Sequence, residues 1–144
     1  MTALDLTMGY YTIRFSLTSI EMTTIVPEFG KFRYNHLLVS ICTSGDIFQA
    51  KVDKLLGDIK SVKSYIDDIL FLINESFYKH IRQPGIIFSR LRAAGIKLNY
   101  NKCSFGLKDI PYLDYIITRE GIKPDPKKVQ GIMDIGRPTT RTEA

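Results

Sequence analysis

The most constraining feature of this 144-residue sequence is a pair of adjacent aspartates between two short β-prone runs. Val62 to Tyr65 and Ile69 to Ile73 form the runs, and little more than Asp67-Asp68 separates them. Aspartate tolerates turn geometry because its side chain can hydrogen-bond the local backbone. The pattern therefore predicts a tight hairpin with both carboxylates at its tip. Taken alone, such a pair is more often a solvated turn than a functional site.

Another carboxylate lies near the amino terminus. Ala3 to Leu6 is a short apolar run that predicts a strand with Asp5 near its end, and Tyr11 to Phe15 alternates with the period of a further strand. Two-metal phosphoryl transfer needs rigidly placed carboxylates that bridge two divalent ions. This chemistry is indicated more strongly by the order of the elements than by either carboxylate site alone. The order is a strand with Asp5, a hairpin, a capped helix and the Asp67-Asp68 hairpin.

The segment between the two carboxylate sites contains a hairpin and a helix. Glu21 to Val26 and Lys31 to Tyr34 are rich in β-branched and aromatic residues and flank a turn with proline and glycine at its corners. Residues 44 to about 59 carry apolar side chains at helical spacing, and Thr43 to Asp46 resembles a capping box. This helix is the clearest local prediction.

The second half of the chain predicts a helix, a hairpin and a final helix. Apolar positions from Phe77 onward suggest a helix that ends at Gly95. Pro84 removes a backbone hydrogen bond, so we expect either a kink there or two short helices. Ile110 to Ile117 alternates and turns back as a small hairpin, and Asp125-Pro126 caps a last helix.

Composition limits the class of protein. Hydrophobic residues at 44% and charged residues at 24% match a globular domain and exclude disordered, collagenous and coiled-coil chains. No apolar run approaches membrane-spanning length, so we expect an intracellular protein without a membrane partner. Cys42 and Cys103 show no metal-ligand spacing and are expected to be reduced thiols. The net charge of +5 reflects a basic second half, which suits a polyanionic partner.

The sequence resembles the palm of reverse transcriptases of gypsy-group long-terminal-repeat retrotransposons. Leu4-Asp5-Leu6 with Gly9-Tyr10 resembles motif A of that family, and Tyr65 to Asp68 resembles its Y-x-D-D motif C. The resemblance implies that Asp5, Asp67 and Asp68 are catalytic and hold two Mg²⁺ ions, for which Mn²⁺ can substitute. It also implies that the ring of Tyr10 excludes the 2′ hydroxyl of a ribonucleotide.

Three further positions follow from the same resemblance. Lys102 resembles the motif D lysine that protonates the departing pyrophosphate, and Phe48-Gln49 resembles the end of motif B. Ser40 stands where motif B usually has glycine, and with Gln49 it is expected to bind the nucleotide. The hairpin near 110–122 resembles the primer grip.

The fold class expected from the resemblance is α+β, an antiparallel palm sheet of three or four strands with helices on one face, similar to a split βαβ arrangement. Residues 1–136 would form the palm with the fingers largely missing, and residues 137–144 would be a tail that leads to an absent thumb. The missing fingers, thumb and ribonuclease H segments of a polyprotein would be its protein partners.

The implied function is RNA-directed DNA polymerisation on an RNA or DNA template with a primer and deoxynucleoside triphosphates, in a cytoplasmic particle or the nucleus. The alternative is a truncated, inactive relic that retains at most non-specific nucleic-acid binding. Ser40, Pro84 and Asp114 depart from the family pattern and support this alternative. A chain that does not fold stably alone is a further alternative.

Overall fold

The computed structural model describes residues 1–72 and 84–135, and its main feature is a four-stranded antiparallel sheet with helices on one face. The strand order is β4-β5-β1-β6. The elements in chain order are β1 (Thr2–Thr7), α1 (Leu17–Met22), β2 (Thr24–Ile25), β3 (Phe32–Arg33), α2 (Ser44–Leu56), β4 (Val62–Tyr65), β5 (Asp68–Phe71), α3 (Pro84–Ala93), β6 (Lys97–Leu98), β7 (Ile110–Tyr112), β8 (Tyr115–Thr118), β9 (Gly121–Pro124) and α4 (Pro126–Met133). Short 3-10 turns occupy Gly9–Thr12 and Tyr100–Lys102. The α+β prediction, with an antiparallel sheet of four strands, is confirmed.

Alternation along β1 places apolar side chains on the helix-covered face. Leu4 and Leu6 are buried, whereas Asp5 is half-buried on the opposite side. The helices α2 and α3 contribute to the same core, which contains Leu4, Leu6, Tyr10, Leu37, Phe48, Val52, Leu56, Val62, Ile69, Phe71, Ile87, Leu91 and Ile96. The sheet thus separates a hydrophobic core from a face that carries carboxylates.

The predicted hairpin over residues 62–73 is confirmed, with β5 ending at Phe71, but the prediction of both carboxylates at its tip is wrong because Asp68 is the first residue of β5. β4 pairs with β5 in the register Tyr65↔Asp68, so only Ile66 and Asp67 form the turn. β5 in turn pairs with β1 in the register Asp5↔Asp68. Residue 73 lies outside the described residues.

The strand predicted over Tyr11 to Phe15 is wrong. The chain forms the 3-10 turn Gly9–Thr12 there, closed by a hydrogen bond of 2.6 Å from the Thr12 hydroxyl to the Gly9 carbonyl. A single bridge between Arg14 and His36 is what remains of strand pairing. The alternation that suggested a strand reflects Ile13 and Phe15, which follow this turn and pack against the core.

The predicted hairpin before α2 is confirmed, but both of its strands are shorter than predicted. Glu21 and Met22 belong to α1, which Ser16 caps by accepting a hydrogen bond of 3.2 Å from the Ser19 N–H. Local capping therefore starts a helix where β-branched composition predicted a strand. Pairing is limited to β2 with β3.

The helix predicted over 44–59 is confirmed as α2 but ends at Leu56. The expected capping box is absent, because Thr43 makes no side-chain cap bond. Instead Ser44 is buried and its hydroxyl donates to the carbonyl of Leu38. The preceding loop, rather than a capping box, therefore fixes the start of α2.

The later elements agree with the sequence only in part. The single strand predicted over Ile110 to Ile117 is wrong, because a turn at Leu113 and Asp114 divides it into β7 and β8, which form a three-stranded sheet with β9. Gly95 ends α3 with a φ of 71°, and the Ile96 N–H donates to the Leu91 carbonyl at 2.9 Å, as in a Schellman motif. Asp125 caps α4 by accepting from the Lys127 N–H at 2.9 Å. Helix α4 ends at Met133. The helix start at Phe77 and a kink ahead of Pro84 lie outside the described residues.

The cysteines and the absence of a long apolar segment were also predicted from the sequence. Cys42 and Cys103 are free, as predicted. Within residues 1–72 and 84–135, no helix combines the length and apolar character needed to cross a bilayer.

Candidate active site

Three aspartates meet at one end of the central sheet. Asp5 faces Asp68 across the β1–β5 register, and Asp67 occupies the adjoining turn. The Asp67 carbonyl accepts a hydrogen bond of 2.8 Å from the Leu6 N–H, so the turn is bonded to β1 as well. The structure therefore brings together residues that are far apart in the sequence, as the sequence analysis predicted.

Mutual repulsion and burial act on these carboxyl groups. Burial raises the pKa of Asp67, and the neighbouring Asp5 and Asp68 raise it further, against an opposing effect of Lys102. Burial likewise raises the pKa of Asp68, again with Asp5 adding to the rise and Lys102 opposing it. Negative charges held close together at a partly buried site favour the protonated form of a carboxyl group, or the binding of a cation in place of the proton.

One carboxylate oxygen lacks a hydrogen-bonding partner. Oδ1 of Asp67 is buried and has no such partner. It is the only buried side-chain nitrogen or oxygen without one in the part of the chain described here. Such an atom is costly unless a cation or water satisfies it. In the described residues no group of three or more histidine, cysteine, aspartate or glutamate side chains is placed so that it could hold a metal ion by itself. Because Mg²⁺ is usually bound by one or two carboxylates together with substrate phosphates, the donor set still fits this ion.

Lys102 lies beside Asp5. The 3-10 turn Tyr100–Lys102 follows β6, and the Asn99 N–H donates to the Asp5 carbonyl at 2.9 Å, which ties this turn to β1. Nζ of Lys102 is 3.6 Å from Oδ2 of Asp5. The lysine side chain is 68% exposed, so it can move between Asp5 and a bound anion.

Tyr10 is buried next to the carboxylates. Its ring stacks on Phe48 of α2, with ring centroids 4.9 Å apart and planes inclined by 27°. Burial raises the pKa of Tyr10, and the nearby Asp67 carboxylate raises it further. Gly9 allows this packing, because a Cβ there would lie 2.2 Å from Cζ of Phe48.

Besides Tyr10, the two other predicted nucleotide-binding residues lie in different settings. Ser40 is exposed in the turn before α2. Gln49 is half-buried in α2 and its amide is hydrogen-bonded to the hairpin, accepting from the Ile66 N–H at 2.6 Å. Neither residue lines the cleft that contains Asp5 and Asp68.

That cleft measures about 300 Å³ and lies between β1 and the β7–β8 hairpin. Its lining residues are Ala3, Leu4, Asp5, Asp68, Lys102, Ser104, Pro111, Tyr112, Leu113, Asp114, Tyr115 and Asp125. The predicted primer-grip hairpin therefore borders the carboxylates. The turn of this hairpin, Leu113 and Asp114, has positive φ values of 48° and 65° at both positions.

Three residues that were not predicted as site residues either line this cleft or contact the Gly9–Thr12 turn. Tyr112 approaches the Asp68 carbonyl with its hydroxyl at 3.4 Å, and burial followed by the charge of Asp68 raises its pKa. Asp125, the α4 cap, also lines the cleft. Lys51 of α2 donates to the Thr12 carbonyl at 3.1 Å and hydroxyl at 2.8 Å. The position of Tyr112 in the hairpin was the available signal, whereas nothing local marked Lys51.

Comparisons with known proteins agree with this geometry. A family model described as "Reverse transcriptase (RNA-dependent DNA polymerase)" matches residues 1–128. The chain is 32% identical over 144 residues to the retrovirus-related Pol polyprotein from transposon opus of Drosophila melanogaster, covering 99% of the chain and 14% of that polyprotein. It is 31% identical over 140 residues to the corresponding polyprotein from transposon gypsy of the same organism, covering 95% and 13%.

The fold is similar to that of solved viral proteins. The foamy viral protease-reverse transcriptase in complex with RNA/DNA hybrid matches with a TM-score of 0.89 and 25% identity, over 99% of this chain and 19% of that chain. The same viral protein in complex with dsDNA matches with a TM-score of 0.89 and 25% identity, over 99% and 30%. The chain thus spans about a seventh of its curated relatives, and it belongs to the reverse transcriptase family, with retrotransposon polyproteins as its relatives.

Proposed function

We propose that this chain is the palm of an RNA-directed DNA polymerase, in which Asp5, Asp67 and Asp68 hold two Mg²⁺ ions for nucleotidyl transfer. The supporting observation is the buried, unpartnered Oδ1 of Asp67 beside two further carboxylates that raise its pKa. A neutral or solvated turn would not keep such an atom buried. Mn²⁺ would substitute for Mg²⁺, since carboxylate oxygens suit both ions.

Metal ions held by Asp5, Asp67 and Asp68 would lower the pKa of the primer 3′ hydroxyl and stabilise the negative charge of the leaving pyrophosphate. The bond formed joins the primer 3′ oxygen to the α-phosphorus of the deoxynucleoside triphosphate, while the 3′ hydroxyl proton passes to water. The bond broken is the one between the α-phosphorus and the oxygen that bridges to the β-phosphorus, and that oxygen leaves with pyrophosphate. Asp5 and Asp67 supply the carboxylates that place the reacting atoms, and Asp68 supports them from the start of β5.

Lys102 is proposed to donate the proton that pyrophosphate takes up on leaving. Its Nζ lies 3.6 Å from Asp5, within reach of the same site, and its side chain is exposed enough to reorient. A positive charge there also stabilises the developing negative charge of the leaving group. Ser40, in the exposed turn before α2, is proposed to contact the template or nucleotide.

Tyr10 is proposed to select deoxyribose. The ring is fixed by stacking on Phe48, and Phe48 is fully buried. A rigid ring beside the carboxylates discriminates against a 2′ hydroxyl by steric exclusion, which a mobile side chain could not do. Tyr10→Ala is therefore expected to lower discrimination against ribonucleotides.

Residues 1–136 are proposed to form the palm, and the hairpin near 110–122 to hold the primer terminus. The template, the primer and the deoxynucleoside triphosphates are the proposed partners, together with the other segments of a polyprotein. A cytoplasmic particle or the nucleus is the proposed location. The role proposed for the hairpin is supported by the cleft of about 300 Å³ that lies between it and Asp5.

Primer extension tests the proposal. The purified chain is supplied with an RNA template, a DNA primer and labelled deoxynucleotides in Mg²⁺ and then Mn²⁺, with Asp67→Asn as the control. Incorporation that disappears in Asp67→Asn supports the proposed polymerase. Incorporation that persists in the variant would contradict the assignment of Asp67.

An inactive relic that only binds nucleic acid is the second candidate. Asp114 favours it, because this carboxylate lines the cleft beside Asp5 and Asp68 and would repel a primer phosphate. An ion pair of 3.2 Å with Lys128 lessens that repulsion, although both side chains are mostly exposed. A folded chain that binds primer and template equally well with and without Asp67→Asn, and extends in neither form, supports this candidate.

A further inference from the structure

We infer that Gln49 is a positioning residue, whose amide fixes the hairpin turn that carries the proposed metal ligands Asp67 and Asp68. The inference rests on the proposed function, because it concerns the same carboxylates. It replaces the nucleotide contact expected for Gln49 with a role exerted through the backbone of Ile66.

Both ends of the Gln49 amide are used by the hairpin. Oε1 accepts a hydrogen bond of 2.6 Å from the Ile66 N–H. Nε2 donates to the Ser64 carbonyl at 3.3 Å and to its hydroxyl at 3.2 Å. The amide therefore connects α2 to the residues on either side of Tyr65, at the point where β4 enters the turn.

The turn needs such support because of its backbone. Ile66 has a φ of 51°, in the left-handed region that β-branched residues rarely occupy. A strained conformation of this kind persists when surrounding contacts hold it in place. The bond from Gln49 is made to the N–H of this same residue, and the Ile66 side chain packs against the core.

Asp53 sets the orientation of the amide. Its Oδ1 accepts from Nε2 of Gln49 at 2.8 Å and from the Ser64 hydroxyl at 3.1 Å. With Nε2 committed to Asp53, only Oε1 is left to face Ile66. Phe48 and Val52 anchor this part of α2, since both are fully buried. The amide is thus presented from a rigid helix and not from a loop.

Because Asp67 directly follows Ile66, the position of its carboxylate depends on the turn. Its carbonyl is bonded to the Leu6 N–H, one residue beyond Asp5. Release of the turn by loss of the Gln49 bond would change the spacing between Asp67 and Asp5. Outer contacts of this kind typically change metal affinity by about 10- to 100-fold.

The test compares Gln49→Met with Gln130→Met. Gln130 of α4 makes the same type of bond to a residue four positions later, from Nε2 to Oδ1 of Asp134 at 2.8 Å, and is therefore a matched control. The first readout is amide hydrogen exchange by NMR. We expect the Ile66 N–H to exchange about tenfold faster in Gln49→Met, as for loss of one net hydrogen bond, and unchanged in Gln130→Met. Unchanged exchange of Ile66 in Gln49→Met would overturn the inference.

The second readout is Mn²⁺ affinity of the whole chain, measured by electron paramagnetic resonance. Gln49→Met is expected to bind Mn²⁺ at least about tenfold more weakly than the wild type. Equal affinity would overturn the positioning role. If the wild type binds Mn²⁺ no better than Asp67→Asn, the proposed function fails instead, and exchange at Ile66 alone then decides whether Gln49 holds the turn.

A rescue experiment separates positioning from general loss of structure. Gln49→Glu keeps an acceptor for Ile66 but sets a second carboxylate against Asp53, so protection of Ile66 and Mn²⁺ affinity should both fall. Adding Asp53→Asn provides an amide N–H that can donate to the new carboxylate at position 49. The hydrogen bond between positions 49 and 53 then runs in the opposite direction from the wild type. Recovery of both readouts in the double variant supports the inference, whereas a double variant no better than Gln49→Glu would overturn it.

Discussion

Replacing Gly9 with alanine is expected to destabilise the fold, because a methyl group there would overlap Phe48. The Cβ would lie 2.2 Å from Cζ and 2.7 Å from Cε2 of the ring. Carbon atoms in favourable contact are about 3.5–4.0 Å apart, so the ring must move by more than about 1 Å. Phe48 is fully buried and stacks on Tyr10, so the movement would displace that ring as well.

The magnitude follows from two opposing effects. Overpacking a well-packed core costs about 1–3 kcal/mol. Alanine in place of glycine restricts the unfolded chain, which stabilises the fold by about 0.4–1 kcal/mol and offsets part of that cost. The expected net loss is about 1–2 kcal/mol, or roughly 3–8 °C in Tm for a domain of this size.

Urea unfolding followed by circular dichroism measures this loss. Gly131→Ala is the matched control, because nothing lies within 4 Å of a Cβ at this helical position. It should stabilise the chain by about 0.4–1 kcal/mol. Adding Phe48→Leu to Gly9→Ala should give a loss smaller than the sum of the two single losses. A Gly9→Ala chain as stable as Gly131→Ala would refute the proposed close packing.

Three other variants test separate parts of the structure. Asp67→Asn should stabilise the metal-free chain at neutral pH by about 0.5–2 kcal/mol in chemical unfolding. Since the folded-state pKa of Asp67 is raised, the wild type should lose stability relative to this variant as pH rises above about 4; a constant difference would contradict the raised pKa. Gly95→Ala should cost about 1–2 kcal/mol in a thermal melt, because its φ of 71° is unfavourable for alanine, and an unchanged Tm would contradict that strain. Arg90→Met should lower the Tm modestly, and less at high salt, since the half-buried Arg90 pairs with the exposed Asp58 and also donates to the Leu55 carbonyl at 2.9 Å; a large, wholly salt-independent loss would contradict the contribution of the ion pair.

Local sequence patterns predicted those parts of the fold that depend on interactions between neighbouring residues. The hairpin that carries Asp67 was predictable because β-prone runs flank a turn-forming pair of residues. Gly95 and Asp125 were predictable as helix boundaries because capping depends on neighbouring residues alone. The proximity of Asp5 to this hairpin came from the family resemblance, since register between distant strands has no local signal.

The errors arose where distant contacts determine local structure. The 3-10 turn Gly9–Thr12 alternates like a strand, yet Gly9 packs on Phe48 and Lys51 bonds Thr12 from 39 residues away. Neither contact leaves a mark in the nearby sequence. The bonds from Gln49 to the hairpin are likewise non-local, so no local pattern in the sequence predicts them.

The exposed apolar residues of α4 illustrate another limit. Its apolar positions have helical spacing, but Val129, Ile132 and Met133 are exposed and no residue of the helix is buried. Periodicity predicts that a helix has an apolar face but does not say what packs against it.

Mn²⁺ titration by electron paramagnetic resonance tests the central claim most directly, because it asks whether the three carboxylates hold a divalent ion without requiring turnover. The chain, Asp67→Asn and Asp109→Asn are titrated with and without a deoxynucleoside triphosphate; Asp109 is exposed and does not line the cleft. The account predicts saturable binding in the wild type and Asp109→Asn, strengthened by the nucleotide and lost in Asp67→Asn. Equal binding by all three chains would contradict it.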